Sequence, residues 1–241
     1  MYFWDYVAIP LTDCLNDAYQ RGEMSISQRR GVISLLPKKN KDTLLLKNLR
    51  PITLLNIDYK IGAKCIAKRL EKVLPMLIDR DQTGYVKNRF IGENVRLICD
   101  VIESYEEKNL PGMLLFIDFE KAFDSLERNF LFKVLEVMNF GPMFRKWIQT
   151  FYSNITSCVT NNGHASDFFQ LYRGVRQGCP LSGFLFVVAI EVLAQAITEN
   201  IREKNIHGLN INDTELKLSM YADDLTAIIK DEHSASHLLS L

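Results

Sequence analysis

The chain has 241 residues, 47% hydrophobic and 24% charged, with 29 basic and 29 acidic side chains that give a net charge of zero. That length holds one large domain or two small ones, and the composition excludes a disordered, collagen-like or low-complexity polypeptide. Five cysteines without CxxC spacing exclude a disulfide scaffold or zinc knuckle and suggest a reducing compartment, and four histidines form no HxxxH or HExxH metal pattern.

In chain order, Leu11–Arg21 reads as a helix closed near Gly22. Met1–Ala8 before it holds Asp5 and no basic residue, so no secretory signal is expected. Gly31–Pro37 reads as a short apolar strand, 38–47 as a charged loop, and Ile52–Asn56 as a second apolar run. Tyr59–Val73 is a helix on which Lys60, Lys64, Lys68 and Lys72 recur every four residues. Such a stripe is either a solvated face or a row of phosphate contacts. Residues 82–89 form a loop, Ile91–Glu107 an amphipathic helix, and Pro111-Gly112 a break. Met113–Ile117, wholly apolar, suits the middle of a sheet and ends at Asp118.

Asp124–Met138 predicts one helix, with Asp124 and Glu127 spaced as a capping box and Leu126, Phe130, Val134 and Met138 on its buried side. Pro142–Tyr152 is another helix, and Thr156–Thr160 with Ser166–Tyr172 makes a hairpin around Asn161-Asn162-Gly163. Leu181–Glu203 is a long helix, apolar nearly all round in its first half and therefore buried. Its longest apolar stretch, Phe184–Ile197, is interrupted by Glu191 and Gln195 and too short for a bilayer, so no membrane partner is expected. Leu216–Tyr221 alternates as a half-buried strand, and Leu225–Ile229 follows after a turn at Ala222-Asp223-Asp224. Hairpins and helices without a βαβ repeat make the fold class α+β.

Zero net charge conceals an asymmetry. Residues 21–96 carry 17 Lys and Arg against 7 Asp and Glu, and the remainder carries 12 against 22. A basic segment followed by an acidic one suggests a polyanion surface beside a centre for cations, although two solvated faces give the same count. The carboxylates sharpen this. Asp118 follows a run of apolar residues, and Asp223-Asp224 sit between two apolar strands, where a charge is costly unless compensated. Each alone is better explained as a strand end or a tight turn. Together they favour hard divalent cations with oxygen ligands, of the kind that serve phosphoryl transfer in pairs.

Phe116-Ile117-Asp118-Phe119-Glu120-Lys121-Ala122-Phe123-Asp124, Arg173-Gly174-Val175-Arg176-Gln177-Gly178-Cys179-Pro180-Leu181-Ser182 and Tyr221-Ala222-Asp223-Asp224 stand in the order and spacing of the reverse transcriptase palm motifs. With Leu36–Lys39, Leu49–Asn56 and Gln82–Val86 upstream, the chain resembles the non-LTR (LINE-type) retrotransposon enzymes over about residues 22–230. The resemblance implies a right-hand polymerase: a fingers-like region with an N-terminal helix over 1–110, then a palm over 111–241, an antiparallel sheet backed by helices, with the thumb absent. It implies two Mg2+ (or Mn2+) ions on Asp118 and Asp223, with Asp224 in support and the Phe119 carbonyl completing one coordination shell. Phe123 becomes the steric gate against a 2′-hydroxyl. Lys38, with Lys39 as its substitute, and Arg50 grip the incoming triphosphate. Gln177 contacts the nucleotide sugar, Gly178 lets the backbone approach the nascent base pair, and Tyr85 and Arg89 lie against the template.

The activity implied is RNA-directed DNA synthesis from dNTPs on a DNA primer and an RNA template, inside the cell as a nuclear or cytoplasmic ribonucleoprotein. Two departures stand out: Gly183 replaces a proline common in the family, and Cys179 occupies a variable position. The Gly-rich motif before the fingers helix, a primer grip, a thumb, a Cys/His tail and an endonuclease are all missing, as expected for a fragment of a retroelement polyprotein. The rival readings are an inactive truncated remnant that only binds RNA, and another palm enzyme such as a nucleotide cyclase or an RNA-dependent RNA polymerase.

Overall fold

The computed structural model describes residues 3–203, 205–211 and 214–240. Its elements run α1 (Trp4–Arg21), α2 (Ile26–Arg29), β1 (Arg30–Pro37), β2 (Leu49–Leu55), α3 (Ile57–Leu77), α4 (Ile91–Glu107), β3 (Met113–Ile117), α5 (Ala122–Ser125), α6 (Arg128–Val137) and α7 (Pro142–Tyr152). There follow β4 (Thr156–Asn161), β5 (His164–Ala165), β6 (Phe169–Gln170), α8 (Ser182–Arg202), β7 (Leu209–Ile211), β8 (Thr214–Leu216), β9 (Leu218–Tyr221), β10 (Asp224–Ile229) and α9 (Glu232–Leu238). They form two compact units, Met1–Arg69 with Phe123–Ser182, and Leu70–Ala122 with Gly183–Leu241. The chain enters each unit twice.

In the first unit the sheet order is β2-β1-β4-β5, with β6 also pairing β4. β1 and β2 are antiparallel from Gly31↔Leu55 to Pro37↔Leu49, and β4 lies parallel to β1 on the other side. Tyr59, Leu131, Leu135, Ile148 and Phe151 are fully buried, and the Tyr59 and Phe151 rings meet edge to face at 5.2 Å. Helix α1 starts earlier than its sequence suggests, running through Pro10, and ends where Gly22 turns left-handed at φ +79°.

The single helix expected over 124–138 is instead two, because the loop after β6 takes the backbone groups that would have continued it. The N–H groups of Val175 and Gly174 donate to the carbonyls of Phe123 and Leu126, both at 2.8 Å. Arg128 then bonds the loop's own carbonyls, Leu171 at 2.7 Å and Arg173 at 3.0 Å. Asp124 lies inside α5, and Glu127 becomes the N-cap of α6 with no side-chain cap bond among the described residues. The buried side is Leu131, Val134 and Leu135, while Phe130 is exposed.

In the second unit β10 is central, with β3 and β9 on either side. Leu225, Ala227 and Ile229 of β10 pack with Ala194, Ile197 and Ile201 of α8. Ile228 packs with Val101 of α4 and Leu209 of β7. Burial on both faces explains why β10 is apolar almost without interruption. β3, expected in the middle, is an edge strand among the described residues, with Phe116 67% exposed. β9 is shorter than the expected Leu216–Tyr221 and does not alternate: Leu218, Ser219 and Met220 are all buried. Ser182–Ile201 is long and apolar enough to cross a membrane by length and composition alone, which the shorter count Phe184–Ile197 misses. In this fold α8 packs against the sheet, and half of that span is buried. All five cysteines are free, as their spacing suggests.

Asp81 is an electrostatic weak point of this unit. Its Oδ2 is buried without a hydrogen-bond partner among the described residues, and the Lys217 ammonium is 3.9 Å away, too far for a hydrogen bond. Burial pushes its carboxyl pKa up to about 6; Lys217 pulls it down, Asp79 adds to the rise and Arg89 opposes it. An acid that holds its proton more tightly when folded favours the fold below its unfolded value of 3.8, and that stability is lost as the pH climbs to 6. Asp81→Asn is therefore expected to raise the unfolding free energy by about 2 kcal/mol near neutral pH, after a discount for partial exposure. Urea titrations across that window should show a flatter pH dependence in the variant; an unchanged slope would assign the effect to another group.

Candidate active site

Three carboxylates meet at one end of the β3-β10-β9 sheet. Ile117 pairs with Leu225, so one step further along the ladder Asp118 stands opposite Asp224 on the same face. Tyr221 pairs with Asp224, which leaves Ala222 and Asp223 as a two-residue turn. The Asp224 carboxyl is pushed above its ordinary pKa by burial first, then by the charges of Asp223 and Asp118. Among the described residues no ion pair includes any of the three. Crowded oxygen donors without a protein cation suit hard divalent ions. Among the described residues, however, no three Asp, Glu, His or Cys side chains form a group able to hold a metal ion, so the carboxylates share a sheet end without closing a cage. Phe119 follows Asp118 and packs against the sheet's core.

Tyr85 belongs beside this turn. Its backbone is left-handed at φ +58°, its ring is half exposed and meets Phe184 edge-on at 6.3 Å. Burial raises its hydroxyl pKa, and the neighbouring Asp223 and Tyr221 raise it further. Gly183 makes room for the ring: an added Cβ would lie 2.3 Å from it. Gly183 is thus matched to Tyr85.

Arg89, expected to lie against the template, is bonded to the protein's own backbone. Its guanidinium donates to the carbonyls of Asp79, Gln82 at 2.8 Å, Ile78 at 3.0 Å and Pro75 at 3.4 Å. Those groups lie at and just beyond the C-terminus of α3, where backbone acceptors lack helical partners and a cation is favoured. It caps the end of α3 through both terminal nitrogens of its guanidinium.

The remaining candidates lie in the first unit. The Lys38 N–H donates to the Asn48 carbonyl at 2.8 Å, just past the end of the β1–β2 ladder, and Arg50 pairs with Leu36. Ladder parity puts the Lys38 and Arg50 side chains on the same face of the hairpin. Neither is in an ion pair among the described residues. The Thr53 N–H donates to the Gln177 carbonyl at 2.8 Å, and the Gln177 amide reaches Asp124 Oδ2 at 3.4 Å. Gly178 has φ +109°, and a Cβ there would lie 2.5 Å from the Thr53 carbonyl oxygen. The close approach this glycine permits is to β2. Phe123 is half-buried in α5, its carbonyl held by Val175.

Sequence reasoning misses Asn94. It is buried, and its amide donates to Ser219 Oγ at 2.8 Å and the Met220 carbonyl at 3.0 Å, while Thr83 Oγ1 donates to its Oδ1. This network ties α4 to β9 one residue before Tyr221. The signal was a lone amide on the stripe that continues through Leu97 and Val101, the buried side of an amphipathic helix.

The family model for reverse transcriptase (RNA-dependent DNA polymerase) matches residues 36–241. The transposon TX1 uncharacterized 149 kDa protein of Xenopus laevis is 39% identical over 232 residues, which are 95% of this chain and 17% of that protein. The retrovirus-related Pol polyprotein from the type-1 retrotransposable element R2 of Nasonia vitripennis is 23% identical over 206 residues, 86% of this chain and 19% of its own. The chain thus spans less than a fifth of the length of these relatives. A solved telomerase from Candida albicans, in complex with the TWJ fragment of telomeric RNA, superposes with a TM-score of 0.60 at 12% identity, covering 100% of this chain and 43% of the telomerase. At that identity the likeness is one of fold.

Proposed function

Because the chain belongs to the reverse transcriptase (RNA-dependent DNA polymerase) family, in its non-LTR retrotransposon branch, we propose that it copies an RNA template into DNA by adding deoxynucleotides to a primer 3′-hydroxyl. What supports this most directly is the sheet end where Asp118, Asp223 and Asp224 gather negative charge with no ion-pair partner among the described residues. The sheet β3-β10-β9 backed by α8 would be the palm of a right-hand polymerase, and the β1–β2 hairpin would belong to the fingers, with the boundary near residue 110. When bound by the three carboxylates and the Phe119 carbonyl, two Mg2+ or Mn2+ ions would acidify the attacking hydroxyl and offset charge on the α-phosphate and the departing pyrophosphate.

The protein's own groups would orient the nucleotide. Lys38 offers a point charge and Arg50 a fork of donors for triphosphate oxygens. Gln177, its amide steadied by Asp124, would contact the sugar, and Phe123 would exclude a 2′-hydroxyl. Tyr85, braced by Gly183 and Phe184, would offer a ring face to a template base. Further domains of the full-length protein would supply the thumb and endonuclease. In primer extension on an RNA template, the intact protein should incorporate dNTPs, and Phe123→Val should raise ribonucleotide use relative to dNTP by about 10–100-fold. Unchanged sugar discrimination would remove Phe123 from the gate; RNA binding without incorporation by the parent protein would overturn the polymerase assignment.

A further inference from the structure

We infer that Gln82 is the positioning residue of the carboxylate turn: its side-chain amide fixes Ala222 and thereby the direction in which Asp223 and Asp224 leave the sheet, a role that rests on reading those two as catalytic. Gln82 Oε1 accepts the N–H of Ala222 and of Gly84, both at 2.8 Å, and its Nε2 donates to the Ala222 carbonyl at 3.2 Å. One amide thus engages both backbone groups of a residue 140 positions away, as a neighbouring strand would.

Ala222 needs such a partner. It is left-handed at φ +56°, a conformation that residues with a Cβ rarely adopt, and it is 5% exposed, so water is poorly placed to replace a lost bond. The loop that carries Gln82 is anchored independently of its side chain. The Met220 N–H donates to the Asp81 carbonyl at 2.8 Å, and the Thr83 N–H donates to the Met220 carbonyl at 2.9 Å. This bridge runs parallel to β9 and stops short of the turn; the Gln82 amide carries the bracing from Met220 to Ala222. Gly84 brings the loop close beneath it, since a Cβ there would lie 2.3 Å from the Ala222 nitrogen. Gln82 itself is 1% exposed, which fixes its amide in place.

A residue that merely packs would lower stability alone, whereas a positioning residue also governs ion binding and turnover. In the intact protein, Gln82→Met keeps the length and deletes all three bonds. It should lower kcat for dNTP addition by about tenfold or more, with the dNTP KM unchanged. Gln82→Glu keeps the acceptor but turns an oxygen toward the Ala222 carbonyl, and should lower kcat similarly even if the methionine variant folds poorly. Mn2+ affinity, read from the electron paramagnetic resonance of the free ion and counting only binding lost in Asp118→Asn, should weaken by a comparable factor in both variants. A lower melting temperature with unchanged kcat and Mn2+ affinity would overturn the inference. If the parent protein adds no dNTP while its Mn2+ affinity still depends on Gln82, the polymerase assignment falls and the positioning role stands. If Mn2+ binding ignores both Asp118 and Gln82, both fall.

Discussion

Asp118→Asn is expected to slow dNTP incorporation about a thousandfold, equivalent to about 4 kcal/mol of transition-state stabilisation, while leaving the fold at least as stable as the parent. The two effects have one cause. Asp118 adds its charge to those of Asp223 and Asp224, and that crowding helps hold the Asp224 carboxyl above its ordinary pKa. Removing one charge relieves repulsion in the ion-free protein and, on the proposed two-ion reading, removes a ligand from the ion-loaded one. Asparagine keeps the shape, so β3 and its pairing with β10 have no reason to change. Single-turnover incorporation measures the first effect and thermal unfolding without divalent ions the second. A rate near that of the parent would take Asp118 out of the mechanism, and a large loss of stability would make it a structural residue.

Gly178→Ala is expected to cost about 4 kcal/mol of folding stability with no nucleotide present. Two independent penalties coincide there. A φ of +109° is open to glycine and strained for any residue with a Cβ, and the added carbon would sit 2.5 Å from a backbone oxygen, that of Thr53. Neither side can yield readily, because Thr53 donates to the Gln177 carbonyl at the same point. Gly163, left-handed at φ +78° with nothing near its missing Cβ, is the control, and Gly163→Ala should cost about 1 kcal/mol. Urea unfolding of the ligand-free variants separates the cases. If Gly178→Ala unfolds like the parent but binds dNTP more weakly, the glycine serves the approach of the base pair and not the docking on β2.

Local pattern carried much of the architecture. The apolar period of Ile91–Glu107, the uninterrupted Met113–Ile117 and the Pro-led Pro142–Tyr152 each correspond to an element with those same ends. Asp118 and Asp223-Asp224 stand out as candidates because charge at the end of an apolar strand is costly, and that cost is written locally. Partners were not. The break between α5 and α6 depends on which loop takes the carbonyls of Phe123 and Leu126, and nothing within 124–138 specifies it. Arg89 reads in the sequence as a template contact, and nothing local to it announces the four backbone acceptors at and just beyond the end of α3. The hold of Gln82 on Ala222 spans 140 residues and leaves no periodic trace. Periodicity records which face of an element is apolar, because burial acts residue by residue. Which polar groups will satisfy one another depends on close approach between distant segments, and only the folded chain decides that.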